Sequence, residues 1–325
     1  MLIPDYWAEA TIKSRQGNKQ ITMRRFGWSE QSQEDAQRNA EARAEESLTR
    51  LLAGERLERR ELKVAYNGAS GVPIREEVLS RHKEAVITRN LYGARCLNTP
   101  NVLFADIDFV IPGKPATFYW GIFFTVLASF VIASKFAGFG LASIIAMATW
   151  FFSFKLATWI WTQKLKAQSS PQESAMQRVD TFLEKHPDWH LRIYRTPAGL
   201  RLLAMHKTFG PDEPEVATVF KEIQADKIYV QMCSNQHCFR ARVSPKPWRI
   251  GIESHLKPRP GVWPINPDRL PDRLRWVEEY ERKAQAFASC KFLAAKGSNQ
   301  VDATAEDIRQ LHDDLCRANS DLPLA

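Results

Sequence analysis

The most pronounced pattern in the chain is a pair of long apolar runs near its middle. Residues 116–134 contain no charged residue, and residues 141–162 contain only Lys155. A helix that crosses the hydrocarbon core of a bilayer needs about 20 apolar residues, so each run is long enough by itself. The short connection between the runs contains Gly138 and Gly140, which can turn the chain. The pattern therefore predicts a two-helix transmembrane hairpin over residues 116–162.

The lysines that flank these runs predict how the hairpin is oriented. Lys114, Lys164 and Lys166 lie outside the runs, whereas the connection between the runs carries Lys135 alone. Positively charged residues accumulate on the cytoplasmic side of membrane proteins. We therefore expect an integral membrane protein with two spans in a lipid bilayer, most simply a bacterial inner membrane, and with both termini in the cytoplasm. Two buried helices of a soluble protein are disfavoured, because neighbouring runs this apolar are rare there.

The patterns on either side of the hairpin predict soluble parts of mixed α and β structure. Residues 1–115 have patterns typical of a hairpin over 11–13 and 20–26, a helix between Ser32 and Gly54, and strands at 84–90 and 101–109. Residues 163–325 have patterns typical of a helix after Pro171, strands at 190–196 and 200–206, a helix at 214–225, a strand at 239–243 and a helix at about 273–295. Since both ends of a helical hairpin emerge at one interface, the two parts can form one split α+β domain around a shared mixed sheet.

Composition adds a charge imbalance to this picture. The chain has 45 lysines and arginines against 37 aspartates and glutamates, a net charge of +8 and a pI of about 9.2. This balance favours an anionic partner, which includes anionic lipid headgroups, nucleotides and nucleic acid. The five cysteines form no dense framework, which favours reduced thiols in a cytoplasmic compartment. Cys233 and Cys238 have a loose spacing for zinc, so thiols without a metal are the favoured interpretation there.

Two aspartates on one predicted strand form the first candidate site. Asp106 and Asp108 are two residues apart, so their carboxylates point to the same face of the strand. Two close anions need compensation, and a divalent cation such as Mg²⁺ or Mn²⁺ with phosphate ligands supplies it. This spacing predicts a catalytic or metal-binding role for both aspartates. The alternative is a strand end at which the carboxylates cap turns and contact basic residues.

A second candidate site lies in the segment 192–201. Gly199 allows a phosphate to approach the backbone, and Arg195 and Arg201 offer bidentate donors to its oxygens. These three residues are predicted phosphate or nucleotide contacts. A β-hairpin turn with solvated arginines explains the same residues equally well.

A third candidate site is the basic segment 238–249, whose cations are Arg240, Arg242, Lys246 and Arg249. Because Arg240 and Arg242 are two residues apart, they share one face of a strand, and the other two cations extend that surface. Trp248 can stack on a base or anchor the loop in the core. The segment predicts nucleotide or phosphate binding by all four cations, with a solvated basic edge strand as the alternative.

These motifs resemble those of the archaeo-eukaryotic primase, or primase-polymerase, superfamily. The run Leu103–Asp108 is similar to the family's hhhDhD metal strand, and Thr196-Pro-Ala-Gly199-Leu-Arg201 partly matches its T-P-S-G-G-x-H element. The resemblance implies a nucleotidyltransferase with a divalent metal on Asp106 and Asp108 and nucleotide phosphate near Gly199 and Arg201. The family's histidine falls near Arg201 or Leu202, its third acidic residue is not assigned, and the hairpin insertion is foreign to most members.

Two other functions fit parts of the sequence. The run from Asp106 to Val110 also resembles the DxDx[TV] signature of haloacid-dehalogenase phosphatases, in which Asp106 would be the nucleophile and Asp108 the acid/base. The other alternative is a non-enzymatic, membrane-anchored interaction protein whose basic surface binds lipid or nucleic acid. Our leading hypothesis is a membrane-tethered cytoplasmic α+β protein that binds a nucleotide or phosphate through a divalent metal.

Overall fold

The structure is a computed structural model that describes residues 1–16, 19–61, 73–110, 113–166, 170–259 and 263–325. It divides into two compact units. One unit, here called the α+β unit, combines Met1–Asp108 with Arg178–Ala325, and the other, the apolar unit, is Phe109–Gln177. Residues from both sides of the apolar segment therefore belong to one compact unit.

The secondary structure is a mixture of strands and helices. The strands are β1 (Tyr6–Gln16), β2 (Lys19–Ser29), β3 (Glu77–His82), β4 (Ala85–Arg89), β5 (Arg95–Thr99), β6 (Phe104–Asp108), β7 (His190–Arg195), β8 (Gly199–Ala204), β9 (Phe239–Arg242) and β10 (Lys291–Gly297). The helices are α1 (Gln33–Leu52), α2 (Ala116–Lys166), α3 (Pro171–Lys185), α4 (Pro214–Glu222), α5 (Lys227–Gln236), α6 (Leu270–Ala284) and α7 (Ala303–Cys316). The predicted α+β class is confirmed.

The strands form two four-stranded sheets and a separate hairpin, in place of the single mixed sheet that the sequence predicts. One sheet has the order β3-β4-β5-β9 and the other β10-β7-β8-β6, while β1 pairs with β2. Every one of these strand pairs is antiparallel. Each four-stranded sheet contains strands from both sides of the apolar segment, since β5 pairs with β9 and β6 pairs with β8. These long-range pairs hold the two parts of the chain in one unit.

The N-terminal hairpin and the helix α1 that the sequence predicts are both present, and α1 packs on the hairpin. The helix begins after Ser32, whose hydroxyl accepts a hydrogen bond from the Asp35 amide at 3.1 Å. Ala36, Ala40 and Ala44 repeat at four-residue spacing and are fully buried, so they form the helix face that packs on the strands. Small side chains on this face let the helix approach the hairpin closely.

The C-terminal region departs from the predicted helix at about 273–295. That helix ends at Ala284, and Lys291–Gly297 form the edge strand β10 beside β7. The segment 292–295 reads Phe-Leu-Ala-Ala, which has a high intrinsic helix propensity. The backbone hydrogen bonds that β7 offers outweigh this local preference, because tertiary pairing routinely overrides propensity.

The apolar unit is built on α2, a single helical element over Ala116–Lys166 that leaves helical geometry at Gly138. Gly138 has φ 66° and ψ 166°, which a residue without Cβ adopts most readily. The Lys114 ammonium donates to Thr158 Oγ1 at 3.2 Å, and the Phe118 and Phe154 rings are 6.1 Å apart. In a straight helix these two phenylalanines would be more than about 50 Å apart. The segment therefore folds back on itself at Gly138.

The observed bend is narrower than the predicted connection between two helices. Residues 135–140 are predicted to be a non-helical link, but helical structure continues through them apart from Gly138. Among the described residues, the stretch 116–165 is the one helix long and apolar enough to cross a membrane, by its length and composition. Only 11% of its most apolar window is buried inside the protein, so most of its apolar side chains have no protein neighbour to cover them.

Candidate phosphate-binding site

The candidate site is centred on the two aspartates of β6, Asp106 and Asp108. Ala105 and Ile107 are buried on one face of the strand, so Asp106 and Asp108 share the other. The carboxylate of Asp106 is partly exposed and Asp108 is exposed. The prediction that both aspartates lie on one strand face is therefore confirmed, while their metal-binding and catalytic roles remain predictions.

Asp106 is held by a cross-strand arginine. In the antiparallel register of β6 and β8, Asp106 lies opposite Arg201. Arg201 Nε and Nη2 donate to the two carboxylate oxygens at 2.9 and 3.2 Å, which is a bidentate pair. Arg201 is 2% exposed, and its Nη1 donates to the Arg242 carbonyl at 2.8 Å. Arg201 is thus paired with Asp106 and with the backbone of β9, and its predicted contact with a phosphate stays a prediction.

The turn between β7 and β8, where Arg195 and Gly199 are predicted phosphate contacts, is hydrogen-bonded within itself. The Gly199 amide donates to Thr196 Oγ1 at 3.0 Å, so it is already paired within the turn. A Cβ on Gly199 would lie 1.9 Å from the Ile107 carbonyl oxygen, so glycine is needed for the close approach of β8 to β6. Arg195 Nη1 donates to the carbonyl oxygens of Thr196 and Gly199. The hairpin-turn alternative describes these residues, although Arg195 stabilises the turn and is not simply solvated.

Arg240 is the other predicted contact that lies away from the site. Its Nη2 donates to Glu76 Oε2 at 2.5 Å, and the two side chains are 8% and 10% exposed. Glu76 also accepts a hydrogen bond from the Thr88 hydroxyl at 2.6 Å. Arg240 therefore belongs to a closed, buried ion pair and does not reach an exposed anion in this structure.

A third carboxylate, Asp226, joins the two aspartates of β6. Asp226 is the N-cap of α5, where its carboxylate accepts from the Tyr229 amide at 2.7 Å. Its own amide donates to the Asp106 carbonyl at 2.8 Å, which fixes it beside β6. Partial burial raises the pKa of Asp108, and the carboxylates of Asp226 and Asp106 raise it further. No motif marks Asp226 in the sequence, because aspartate is common at helix N-caps for structural reasons.

Three of the predicted cations, Arg242, Lys246 and Arg249, lie close enough to these carboxylates to be influenced by their charge. Burial lowers the pKa of Lys246, nearby Arg242 and Arg249 lower it further, and Asp108 and Asp106 oppose the effect. The pKa of Arg249 is likewise lowered by burial and by Arg242, against the influence of Asp108 among others. Arg249 Nη1 is buried and has no hydrogen-bond partner among the described residues. Leaving a buried guanidinium nitrogen without a hydrogen-bond partner costs free energy, so this nitrogen would be stabilised by a bound acceptor.

Two aromatic rings border the cationic side of the site. Trp248 is 56% exposed, and its ring lies 5.4 Å from that of Tyr92 in an edge-to-face arrangement. Lys246 Nζ is 5.3 Å from the Trp248 ring centroid, and Arg242 Nη1 donates to the Tyr92 hydroxyl at 3.4 Å. Trp248 is therefore accessible for stacking, and it does not anchor its loop in the core. Tyr92 was not predicted, since it lies in a loop far from the other residues in sequence.

The carboxylates of the site are suitable ligands for a divalent cation, although Asp106 is already paired with Arg201. Mg²⁺ and Mn²⁺ prefer oxygen ligands, and Mg²⁺ commonly takes one or two carboxylates together with phosphate and water. Both oxygens of Asp106 already accept from Arg201, so Asp108 and Asp226 are the carboxylates best placed to hold an ion. In the described part of the chain, these aspartates do not form a ready group of three ligand atoms within 4.8 Å.

Comparison of the chain with protein-family models, with curated proteins and with solved structures finds no match in any of the three. The resemblance to the primase-polymerase superfamily therefore rests on the two short motifs alone.

Proposed function

We propose that this protein binds a nucleotide or another phosphorylated nucleoside ligand, together with a divalent cation, while anchored in a membrane. The observation that carries the proposal is the meeting of three cations with three carboxylates beside an exposed tryptophan. The cations are Arg242, Lys246 and Arg249, and the carboxylates are those of Asp106, Asp108 and Asp226.

In this proposal the cations bind the phosphate end of the ligand. Burial lowers the pKa of Lys246 and the nearby charges of Arg242 and Arg249 lower it further, so part of the shift is repulsion between neighbouring cations. Phosphate oxygens relieve this repulsion and accept charge-assisted hydrogen bonds from guanidinium groups. The unpaired Nη1 of Arg249 supports the same assignment, because a bound phosphate gives it an acceptor.

In this proposal the carboxylates hold the divalent metal ion. Burial raises the pKa of Asp108, and the neighbouring carboxylates of Asp226 and Asp106 raise it further, so a bound Mg²⁺ or Mn²⁺ would relieve the repulsion among them. Such an ion acts as a Lewis acid that neutralises charge on phosphate oxygens. Arg201 contributes by holding the Asp106 carboxylate in a fixed orientation.

In this proposal the base of the nucleotide stacks on Trp248, beside Tyr92. Trp248 is exposed and its orientation is supported by the edge of Tyr92. Stacking of a base on an aromatic ring is worth about 1–3 kcal/mol and tolerates any base. A phosphate site next to such a ring favours a nucleotide or a nucleic-acid end over inorganic phosphate.

Catalysis would go one step beyond binding. The primase-like motifs favour nucleotidyl transfer as the class of reaction. A haloacid-dehalogenase-like phosphatase is less well supported, because the bidentate pairing with the buried Arg201 makes the Asp106 carboxylate a weaker nucleophile. A non-enzymatic interaction protein with a basic lipid- or nucleic-acid-binding surface is the second candidate, favoured by the net charge of +8.

The membrane part of the proposal is a two-span anchor formed by α2, with both termini in the cytoplasm. The fold-back at Gly138 supports two passes, since residues on opposite sides of it are in contact. The low buried share of the segment supports lipid as its surroundings. Lys114 and Lys164 at the open end support a cytoplasmic position for both flanks.

Nucleotide binding is tested on the full-length protein in detergent by titration with ATP in the presence of Mn²⁺. Arg249→Ala should weaken binding about tenfold, because a hydrogen bond to a charged group contributes about 1.5–3 kcal/mol. Asp108→Ala should remove the dependence on Mn²⁺. The matched control is Lys221→Ala, an exposed lysine on α4 outside the site, which should bind as the wild type does.

Unchanged ATP affinity in both site variants would overturn the nucleotide proposal. Metal-independent retention of DNA or of anionic vesicles, insensitive to Asp108→Ala, would support the interaction protein instead. The two-span anchor is tested by reporter fusions at the termini and at residue 138. The expected result is a cytoplasmic reporter at both termini and a reporter on the opposite side at residue 138, and a cytoplasmic signal at all three positions would contradict it.

A further inference from the structure

A second cluster of chemically reactive side chains lies behind the phosphate-binding site, inside the α+β unit. It consists of Cys290, just before β10, and of His312 and Cys316 on α7. Their ligand atoms all lie within 4.8 Å of one another, and Cys290 Sγ is 3.8 Å from His312 Nε2. Two sulfurs and one imidazole nitrogen are the ligand types that zinc prefers.

The spacing on α7 explains how two of the ligands come together. His312 and Cys316 are four residues apart, so they lie one above the other on the same helix face. The third ligand comes from a distant segment, which the antiparallel pairing of β10 with β7 holds in place. The Ser289 amide also donates to the Cys316 carbonyl at 3.0 Å, which ties the two segments together next to the cluster.

The orientation of His312 favours metal binding. Its Nδ1 lies 3.1 Å from the carboxylate of Asp313, so Nδ1 carries the proton and Nε2 presents a lone pair toward the sulfurs. Asp313 is itself fixed by Arg192 at 3.1 Å and Arg309 at 2.9 Å. A histidine ligand whose other nitrogen donates to a carboxylate is the usual outer arrangement of zinc sites.

Burial and charge are also consistent with a metal ion. Cys290, His312 and Cys316 are all essentially inaccessible to solvent, and the rings of Phe104 and Tyr194 lie 5.2 and 4.7 Å from that of His312. Two thiolates and one Zn²⁺ sum to zero charge, so such a centre avoids the cost of an isolated buried charge. Complete burial also argues against a nucleophilic or redox role, which needs access to a substrate or an oxidant.

We infer that Cys290, His312 and Cys316 supply three of the four ligands of a Zn²⁺ ion, with water as the fourth, and that this ion fastens α7 and the start of β10 to the core of the α+β unit. The ion would lie close to the phosphate-binding site, because Cys316 Sγ is 4.0 Å from the Arg242 carbonyl, which also accepts from Arg201. Its role there is to hold the chain around Arg242 in place. The inference does not depend on nucleotide binding.

The test is the metal content of the full-length protein, purified in detergent without a histidine tag. We expect about one zinc ion per chain, and at least a tenfold loss in Cys316→Ser. Cys238→Ser is the matched control, since Cys238 is equally buried in a core outside the cluster and should leave the zinc content unchanged. Asp313→Asn should weaken zinc binding about tenfold, as expected for a residue that orients a ligand.

A second measurement covers the case in which Cys316→Ser does not fold. Cobalt introduced into the wild-type protein should give the intense charge-transfer absorption of thiolate ligands, and added zinc should abolish it. A strong chelator should lower the thermal unfolding temperature of the wild type. Absence of stoichiometric zinc together with absence of the thiolate–cobalt band would overturn the inference, whatever the outcome of the nucleotide titration.

Discussion

Two arginine–carboxylate pairs in the α+β unit have the same chemistry but different surroundings. Arg240 and Glu76 are 8% and 10% exposed, so both charges are enclosed. Arg201 is 2% exposed, but its partner Asp106 is 30% exposed and faces the cationic site. One pair is closed on both sides, and the other has an arginine in the core and a carboxylate at the surface.

The difference shows what each pair is suited to do. A closed pair has no face left for a ligand, so its charges contribute only to the fold. A half-open pair fixes a carboxylate at the surface without covering it, and Asp108 and Asp226 lie beside that carboxylate. The location of the carboxylate, rather than the presence of an arginine, therefore separates the candidate functional site from the structural pair.

The largest predicted effect is on the closed pair. Arg240→Met should destabilise the protein by about 3–5 kcal/mol, because it leaves the Glu76 carboxylate buried without its cation. Thermal or chemical unfolding of the full-length protein, followed by circular dichroism, measures the loss. The double variant with Glu76→Gln removes the stranded charge and should recover much of the stability. A loss below about 1 kcal/mol in the single variant would contradict the description of the pair as closed.

A smaller stability effect is expected for the half-open pair. Arg201→Met should cost about 2 kcal/mol, because water can solvate the exposed side of the Asp106 carboxylate once its partner is gone. The same substitution should weaken binding of ATP with Mn²⁺, since Asp106 is then no longer held in place. Unfolding and titration of one preparation give both numbers. Equal stability losses in Arg201→Met and Arg240→Met would remove the distinction between the pairs.

The smallest effect is a pH dependence at Asp108. Because its pKa is raised in the folded state, its contribution to stability is present when it is protonated and is lost as the pH rises through the folded pKa. Asp108→Asn should therefore raise the unfolding temperature slightly at about pH 7 and leave it unchanged below about pH 3, where the wild-type residue is protonated in both states.

Saturating Mn²⁺ sharpens this last test. A bound cation relieves the repulsion among the carboxylates in the wild type, so the advantage of Asp108→Asn at about pH 7 should disappear when the metal is added. Thermal scans with and without Mn²⁺ measure the difference. A variant that is less stable than the wild type at about pH 7 without metal would contradict the raised pKa.

Local sequence patterns predict the strands around the site well. The alternation at β6 places Asp106 and Asp108 on one face, and the turn residues between 196 and 199 mark the end of β7 and the start of β8. These features depend on neighbours in sequence, which is the information that a periodicity contains. For the same reason, the helix predicted between Ser32 and Gly54 is found as α1.

The partners of those strands depend on contacts between distant residues, and the sequence alone does not determine them. The pairing of β6 with β8 sets Arg201 opposite Asp106, and the sequence does not predict that Arg201 pairs with this carboxylate. The pairing of β9 with β5 places Arg240 beside Glu76 in the same way. Asp226 joins the site through a backbone hydrogen bond to β6, for which the sequence has no signal.

The interleaving of strands from before and after the apolar segment has a consequence for how the protein is made. During synthesis, β5 and β6 leave the ribosome ahead of α2, while β8 and β9 follow it. Until those later strands are complete, β5 and β6 have unpaired edges, which are prone to aggregation or to wrong pairing. A chain that stops after residue 166 therefore has the aspartates of β6 but lacks β8, which pairs with β6, and β9, which pairs with β5. The candidate site is therefore complete only late in synthesis, after the hydrophobic segment has already emerged.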